Sequence, residues 1–406
     1  MQNFVYQNST KLIFGRGAEG EAGRETAAVL RTLGAGPQGR ILLHHSGGFA
    51  ARSGLIDRIK GSLREAGVGW VELTGVKPNP RLSLVREGIA LCRKEGLPFI
   101  LAVGGGSAID SAKAIAAGVP YGGDVWELYA KKAPVAEALP LAAVVTIPAS
   151  GSESSTSSVI TNEELAWKQG LSAECIRPVF AILNPELTYT LPPYQTACGV
   201  ADMLAHVMER YFTREPQVEL TDELCEGTMR TIVRNARQVL TTPGGAHDYD
   251  ARAELMWAGT LAHNNLLGLG RVGDWASHHL EHELSAGYDI AHGAGMAIIF
   301  PAWLEYNIRA DSSGGDGLPS GNTRPAQFAE KVWGLSLRRP DETAREGVLR
   351  LREFYRSIGL PVSFTDAGLP TDGIPGMARR FSRFGPDGKY RKLDAAAAEA
   401  VYRLAC

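Results

Sequence analysis

A chain of 406 residues is long enough for two domains, each with its own core. Its 42 Lys+Arg and 44 Asp+Glu leave a net charge of −2, and no basic run stands out. Nucleic acid and anionic membrane surfaces are therefore excluded as expected partners. The longer apolar stretches are broken by Gly, Pro or charge well short of a membrane span. The opening MQNFVYQNSTKLIFGRG has no charged-then-apolar pattern and no cleavage-like site, so no signal peptide is expected. Five scattered cysteines (Cys92, Cys175, Cys198, Cys225, Cys406) form no C-x-x-C. They read as reduced, buried small hydrophobes of a cytoplasmic protein.

Along the first half, short apolar runs alternate with amphipathic ones. An edge strand is expected within residues 4–14, exposed enough to pair with a second chain in a homodimer. RILLHH (Arg40 to His45) reads as a strand, SGLIDRIKGSLREAG as a helix, VELTGV as a strand and LSLVREGIALCRKEG as a helix. FILAVGGG is a third strand that runs into a Gly turn and the helical SAIDSAKAIAAG. PLAAVVTIPA and FAILNP are further strands. Near-continuous apolar strands alternating with helices predict a Rossmann-like parallel sheet covered on both faces.

The turn Val103-Gly104-Gly105-Gly106-Ser107-Ala108-Ile109-Asp110 sits at a strand-to-helix junction. Glycines permit a tight turn and close approach of a ligand, and a helix N-terminus suits a phosphate. Ser107 serves either as a helix cap or as a phosphate donor. The motif is not G-x-G-x-x-G, because Ile109 stands where the third Gly would be. A second polar loop, Thr146-Ile-Pro-Ala-Ser-Gly-Ser-Glu153, also follows a strand. Ligands of open α/β sheets bind outside the carboxyl ends of the strands, and two such loops fit a dinucleotide lying across the sheet.

After TLPP at 190–193 no strand pattern remains, only long helical ones: ACGVADMLAHVMERYF, ELTDELCEGTMRTIVRNARQVL, ARAELMWAGTLAHNNLL and GAGMAIIFPAWLEYNI. A Gly/Ser/Pro-rich loop, SSGGDGLPSGN, interrupts the later helices. Pro192-Pro193 is the expected boundary, with an α/β domain over 1–192 and an all-α domain over 193–406.

Four of the nine histidines fall between His278 and His292, in SHHLEHELSAGYDIAHG. Upstream, Asp202 and His206 stand in GVADMLAHVME. Asp202 and His206 are four apart, as are His278 and His282, so each pair faces one spot one turn apart on a helix. Asp and His are good ligands for a divalent first-row metal. An aspartate on a mostly apolar helix is costly to bury without a cation. Gly287 and Gly293 are expected to break the chain so that a loop returns His292 toward the helix carrying His278. His263, on LAHNNLL, reads as a core or interface histidine, and His279 as a solvated or packed one.

With these residues in hand, the chain resembles the iron-containing (group III) alcohol dehydrogenase family, and most of all its NADPH-dependent butanol dehydrogenase branch. The blocks FVYQNSTKLIFGRG, GVKPNP, GGGSAIDSAKAIA, GDVWELY, TIPASGSE, NPELTYTLP, GVADMLAHVME and HELSAGYDIAHG are similar to family blocks in the same order. The resemblance implies the two-domain, dehydroquinate synthase-like architecture. It also implies one divalent metal held by Asp202, His206, His278 and His292, with His282 as a proton relay. Iron(II) is the expected metal, though an oxygen and nitrogen donor set also accepts zinc and other first-row ions. The implied cofactor contacts are Ser46, Gly47, Gly104, Gly105, Gly106, Ser107, Asp110, Thr146, Ser150, Lys168 and Leu187.

NADP is expected, with NAD as the alternative. NAD enzymes of this family usually carry an acid just after the first βα strand, and Ser46 to Arg52 contain none. Ser46, the local amides or Arg52 would accept a 2′-phosphate. The chain departs from the NADPH branch in showing Phe49 and Ala51 where that branch has Ser and Lys. The implied reaction is hydride transfer between nicotinamide and a primary alcohol or aldehyde, the metal serving as Lewis acid. Val159, Trp275 and Phe300 are candidate apolar lining of a pocket between the domains.

Three other classes compete. A dehydroquinate synthase-like lyase would need basic residues to grip an anionic substrate, and ADMLAHVMERY and HHLEHELSAGY are poor in them. A metal-dependent phosphohydrolase would leave the Gly-rich turns unexplained, and a non-catalytic regulator would not need all four donors and His282.

Overall fold

In a computed structural model, which describes residues 1–36, 39–48, 52–312 and 323–406, the backbone separates at Leu191/Pro192 into two units. Residues Gln7–Leu191 form one. Pro192–Cys406 together with Met1–Tyr6 form the other. The first six residues thus leave the α/β unit in which they were expected. They are tied down by Gln2, whose backbone N–H donates to the Gly270 carbonyl (2.8 Å) and whose side chain bonds Glu215 (2.5 Å).

The α/β unit runs β1 (Lys11–Phe14), α1 (Ala22–Thr32), β2 (Arg40–His45), α2 (Leu55–Glu65), β3 (Gly69–Leu73), α3 (Leu82–Glu95), β4 (Ile100–Gly104), α4 (Gly106–Gly118), α5 (Trp126–Tyr129), β5 (Leu141–Val145), β6 (Ser157–Asn162), β7 (Trp167–Ser172) and β8 (Phe180–Leu183). Six strands form one parallel sheet in the order β1-β8-β5-β4-β2-β3. β2, β4, β5 and β8 are buried apart from Arg40, as uniformly apolar runs of a two-face-covered sheet require. Leu43, Leu101, Val103, Val144 and Ile182 anchor one core against α1 and α2 through Leu30, Ile56, Ile59 and Leu63.

Two features depart from the sequence expectation. The edge strand is only Lys11–Phe14, because residues 4–10 have no ladder partner and form no strand. An antiparallel hairpin, β6–β7, was not read at all. Half the residues of its strands are Ser, Thr, Asn or Gly, and it reverses at Ala166, a non-glycine residue at φ 46°. Neither feature leaves an alternating apolar signal.

In the sheet Gly104 lies opposite Val145, so the Gly turn and the Thr146–Glu153 loop leave neighbouring strand ends. That register, more than either motif alone, brings the two polar loops together.

The other unit is helical, with no strand among its described residues: α6 (Pro193–Tyr211), α7 (Glu219–Thr241), α8 (Tyr249–His263), α9 (Ala276–Tyr288), α10 (His292–Ser312), α11 (Thr323–Trp333), α12 (Pro340–Ser357), α13 (Ile374–Phe381) and α14 (Ala395–Leu404). Pro193 occupies the first turn of α6, where its missing N–H costs nothing. From Thr196 onward nearly every α6 side chain is buried, so this is the central helix. Phe300 is completely buried in the aromatic core, 6.0 Å from Phe212 and 5.1 Å from Trp303 by ring centroid. It is core and not pocket lining. No helix among the described residues is long and apolar enough to cross a membrane.

Of the cysteines, Cys92 and Cys225 are buried as expected, Cys198 is half-buried, and Cys175 and Cys406 are exposed. All five are free thiols.

Candidate metal centre and dinucleotide loops

Three donors converge in the helical unit. Asp202 and His206, one turn apart on α6, meet His278 from α9, with one ligand atom of each within 4.8 Å of the others and all three residues buried. His292, the first residue of α10, brings Nε2 to 3.5 Å from Asp202 Oδ1.

The imidazoles are oriented alike. His206 Nδ1–H donates to the Asp202 backbone carbonyl at 2.8 Å. His278 Nδ1–H donates to Glu209 Oε1 at 2.9 Å, and His292 Nδ1–H to Glu281 Oε2. Each ring therefore keeps an Nε2 lone pair for another purpose. His278 Nε2 and Asp202 Oδ1 are buried without a hydrogen-bond partner. Two buried acceptors without hydrogen bonds are costly, and a cation bound among these donors would satisfy both. The donor set thus fits a divalent metal by its chemistry.

Electrostatics agree. Burial alone would push the Asp202 carboxyl up, but His206 first, then His292 and His278, hold it well below the usual carboxylate range. Burial, assisted by His206 and His292, pushes His278 far below its ordinary value, so its ring is neutral near pH 7.

Two carboxylates behind the histidines escaped the sequence reading. Glu209, fully buried on α6, also accepts from Ser277 Oγ (2.6 Å), Trp275 N (2.7 Å) and His278 N (3.1 Å). Glu281, fully buried on α9, accepts from Ser285 Oγ as well as His292. The available signal was spacing. Each stands three residues after a candidate ligand, His206 and His278, on the same helix. Nearby, burial and then the Glu209 charge push the Asp274 carboxyl up to about 7.

Around this set lie further rings. Trp275 caps α9 at φ 71° with its ring 5.2 Å from His278, 5.9 Å from His206 and 4.8 Å from the Arg210 guanidinium. His263, expected as a core histidine, is buried with its ring 4.3 Å from His206. His282 is half-buried, 5.9 Å from His292 and 5.8 Å from His279. His279 is 47% exposed at its side chain and pairs with Asp387.

Gly293 does not break the chain as expected. It lies within α10, where a Cβ would overlap the Cys198 carbonyl of α6, so it is glycine for close helix approach. The turn that returns His292 is made instead by Asp289 at φ 52°.

In the α/β unit, glycines of the βα turn are fixed by crowding. A Cβ on Gly104 would stand 2.6 Å from the Ala108 Cβ, and one on Gly106 would overlap the Ser150 side chain. The two loops are therefore in contact. α4 is capped by Gly105 without a side-chain bond, so Ser107 does not cap it. The first-turn amides stay suited to an anion.

Asp110, expected at the cofactor, binds the neighbouring segment. One carboxylate oxygen takes Ser152 Oγ (2.5 Å) and the other Val159 N (2.9 Å). From the same helix Lys113 is buried, and its Nζ donates to the carbonyls of Ser152 (2.6 Å), Ser155 (2.9 Å) and Ser157 (2.8 Å). Burial pushes its pKa down to about 8 against the pull of Asp110 and Glu153. Thr146 is buried with its N–H on the Gly104 carbonyl (3.0 Å). Lys168 is buried on β7 and bonds Asn79 Oδ1 (3.0 Å), and Leu187 is buried in a short 3-10 turn over Pro185–Thr188. Val159 is half-buried on β6.

At the end of β2, Ser46 is exposed and Gly47 adopts φ 77°, its N–H bonding His45 Nδ1 at 3.0 Å. His45 Nε2 in turn meets Glu72 at 2.8 Å, whose other oxygen holds Lys60 at 2.6 Å. Phe49, Ala50 and Ala51 of this loop lie outside the described residues, as do residues 313–322 of the Gly/Ser/Pro-rich loop.

Comparison with known proteins gives the family. Residues 9–185 match the model of the iron-containing alcohol dehydrogenases, and residues 196–406 that of the Fe-containing alcohol dehydrogenase family, C-terminal. A probable NADH-dependent butanol dehydrogenase 1 of Bacillus subtilis is 38% identical over 97% of both chains. The NADPH-dependent aldehyde reductase YqhD of Escherichia coli is 33% identical over 95% of this chain and 94% of its own. The crystal structure of NADH-dependent butanol dehydrogenase A from Thermotoga maritima superposes with a TM-score of 0.91 at 36% identity, covering 100% of this chain and 99% of that one. The chain belongs to the iron-containing alcohol dehydrogenase family.

Proposed function

We propose that this chain is a metal-dependent, nicotinamide-linked alcohol dehydrogenase and aldehyde reductase for short primary alcohols and aldehydes of the butanol/butanal kind. The observation that carries the reading is the buried set Asp202, His206 and His278, with His292 beside it and two lone pairs left without hydrogen bonds. Full-length relatives named as butanol dehydrogenases and an aldehyde reductase support the reaction class.

Asp202, His206, His278 and His292 would hold one divalent metal. Iron(II) is favoured by the family, and the donor set would also take zinc. When bound, that ion supplies Lewis acidity toward the substrate oxygen, while the nicotinamide carries the hydride. The remaining work falls to the chain. His282 exchanges the hydroxyl proton, since imidazole titrates near neutrality, and its ring stands between His292 and the exposed His279. The turn Gly104–Ser107 and the loop bearing Thr146 and Ser150 take the pyrophosphate at the α4 N-terminus. Lys168 and Leu187 flank the nicotinamide end.

NADP is the proposed cofactor. Ser46 and Gly47 face a 2′-phosphate with no acid in their own loop, and the Glu72 carboxylate nearby is paired with Lys60 and accepts from His45 Nε2. The proposed assembly is a homodimer, in keeping with the short edge strand β1 and the exposed Phe14.

The test is anaerobic turnover of butanal with NADPH and with NADH, on metal-stripped protein with and without added iron(II) or zinc. Metal-dependent oxidation of NADPH, faster than of NADH, is expected. Absence of turnover with every metal and both cofactors rejects the reaction class; faster turnover with NADH rejects only the cofactor choice.

A further inference from the structure

We infer that Glu209 and Glu281 are positioning residues: by accepting the Nδ1–H of His278 and His292, they fix both rings as Nε2 donors and set the affinity of the metal site. The inference rests on the metal reading above and deepens it.

The three histidines of the set face one tautomer problem. A neutral imidazole has one N–H, and whichever nitrogen carries it cannot donate a lone pair. His206 is settled by its own helix, through the Asp202 backbone carbonyl. His278 and His292 sit at the first turns of α9 and α10, and each is met at Nδ1 by a carboxylate. Both carboxylates are completely buried, which costs several kcal/mol per ion without compensation. Natural sequences rarely bury acids unpaired, so the compensation needs naming.

For Glu209 it is four donors from one segment: Trp275 N, Ser277 Oγ, His278 N and His278 Nδ1. Part of that is helix capping, and Trp275 is held at its left-handed φ by the same carboxylate. Glu281 accepts from Ser285 Oγ, one turn on, and from His292 Nδ1. Its position is enforced by Gly295, where any Cβ would press on the carboxylate. A carboxylate on the far nitrogen also makes the near one a stronger donor to a cation.

The test uses the full chain, stripped of metal, with zinc alone as probe. Zinc affinity is read by competition with a chelator for wild type, Glu281→Gln and Glu209→Gln, and thermal melting of the stripped proteins is read alongside. Glu281→Gln is expected to bind zinc about 10- to 100-fold more weakly, with an unchanged melting temperature of the stripped form. Glu209→Gln is expected to weaken zinc similarly and to lower that melting temperature through its capping role. If both variants bind zinc within twofold of wild type, the inference is wrong.

A second measurement needs no variant. Two-bond nitrogen–proton correlation spectra of histidine-labelled, metal-stripped wild type should show His278 and His292 protonated on Nδ1. Protonation on Nε2 overturns the inference even if the variants lose zinc. A wild type that binds no zinc or iron(II) counts against the metal reading instead, and the tautomers still decide this one.

Discussion

Gly295 of α10 lies directly against the Glu281 carboxylate of α9: a Cβ at that position would stand 2.5 Å from Oε1. The glycine is thus a spatial requirement of a buried acid on another helix. Gly295→Ala should push Glu281 away from His292 and overpack a site with no slack. Expected are a loss of about 1–3 kcal/mol in stability and about tenfold weaker metal binding. Zinc competition and urea unfolding check both; an alanine variant with wild-type metal affinity would show that Glu281 does not depend on this contact.

Removing a donor should differ sharply from removing the relay. His278→Ala leaves Asp202 and His206 facing an empty corner, so metal retention and turnover are expected to vanish. Dinucleotide binding, proposed for the other unit, should persist. His282→Ala should retain the metal yet lower kcat by about 100-fold and flatten its pH dependence near neutrality. Metal content by elemental analysis, with the pH profile of kcat, separates the two. Loss of metal from the His282 variant would make that residue a ligand instead.

The pattern of what could be read in advance follows from physics. Asp202, His206 and the glycine turn were legible because helical i,i+4 spacing and apolar strand ends are short-range signals. The hairpin Ser157–Ser172 was not: half the residues of its two strands are Ser, Gly, Thr or Asn, and its order comes from Lys113 and Asp110 on a helix over forty positions away. Nor could spacing tell which of two buried acids steers an imidazole. Glu281 and Glu283 stand two apart in one motif. The first orients His292, while the second is bonded by Arg380 and Arg383. That His263 and Trp275 lie beside His206 was hidden for the same reason, since only the fold brings them there.

Lys113 gives a prediction for the cofactor loops. Its ammonium gathers three carbonyls from a segment that has little apolar anchoring. Lys113→Met would leave those buried acceptors without a donor, at about 1–3 kcal/mol each for the ones water cannot reach. The segment also carries Ser152, which binds Asp110, so its displacement should raise the KM for the cofactor by about tenfold or more. The KM for butanal at saturating cofactor should change little. Equal effects on both KM values would mean that the loop does not serve the cofactor specifically.

His44 supplies a pH dependence remote from the metal. It is fully buried, its Nδ1–H donates to the Leu73 carbonyl (3.1 Å), and its Nε2 accepts from Ser111 Oγ (2.9 Å), an arrangement only the neutral ring can make. Burial pushes its pKa down to about 4. The unfolded chain, with an ordinary value of about 6.5, therefore holds more protons between those limits. Stability should be complete above pH 6.5 and fall as pH drops toward 4, by about 3 kcal/mol in all and roughly 2 kcal/mol at pH 5. His44→Asn cannot take up that proton, so the variant should be less stable at pH 7 yet lose less on acidification. Urea unfolding of both proteins at pH 7 and pH 5, followed through the α/β unit, gives the comparison. Parallel decline in the two would mean that the acid sensitivity of this unit arises elsewhere than in the His44 ring.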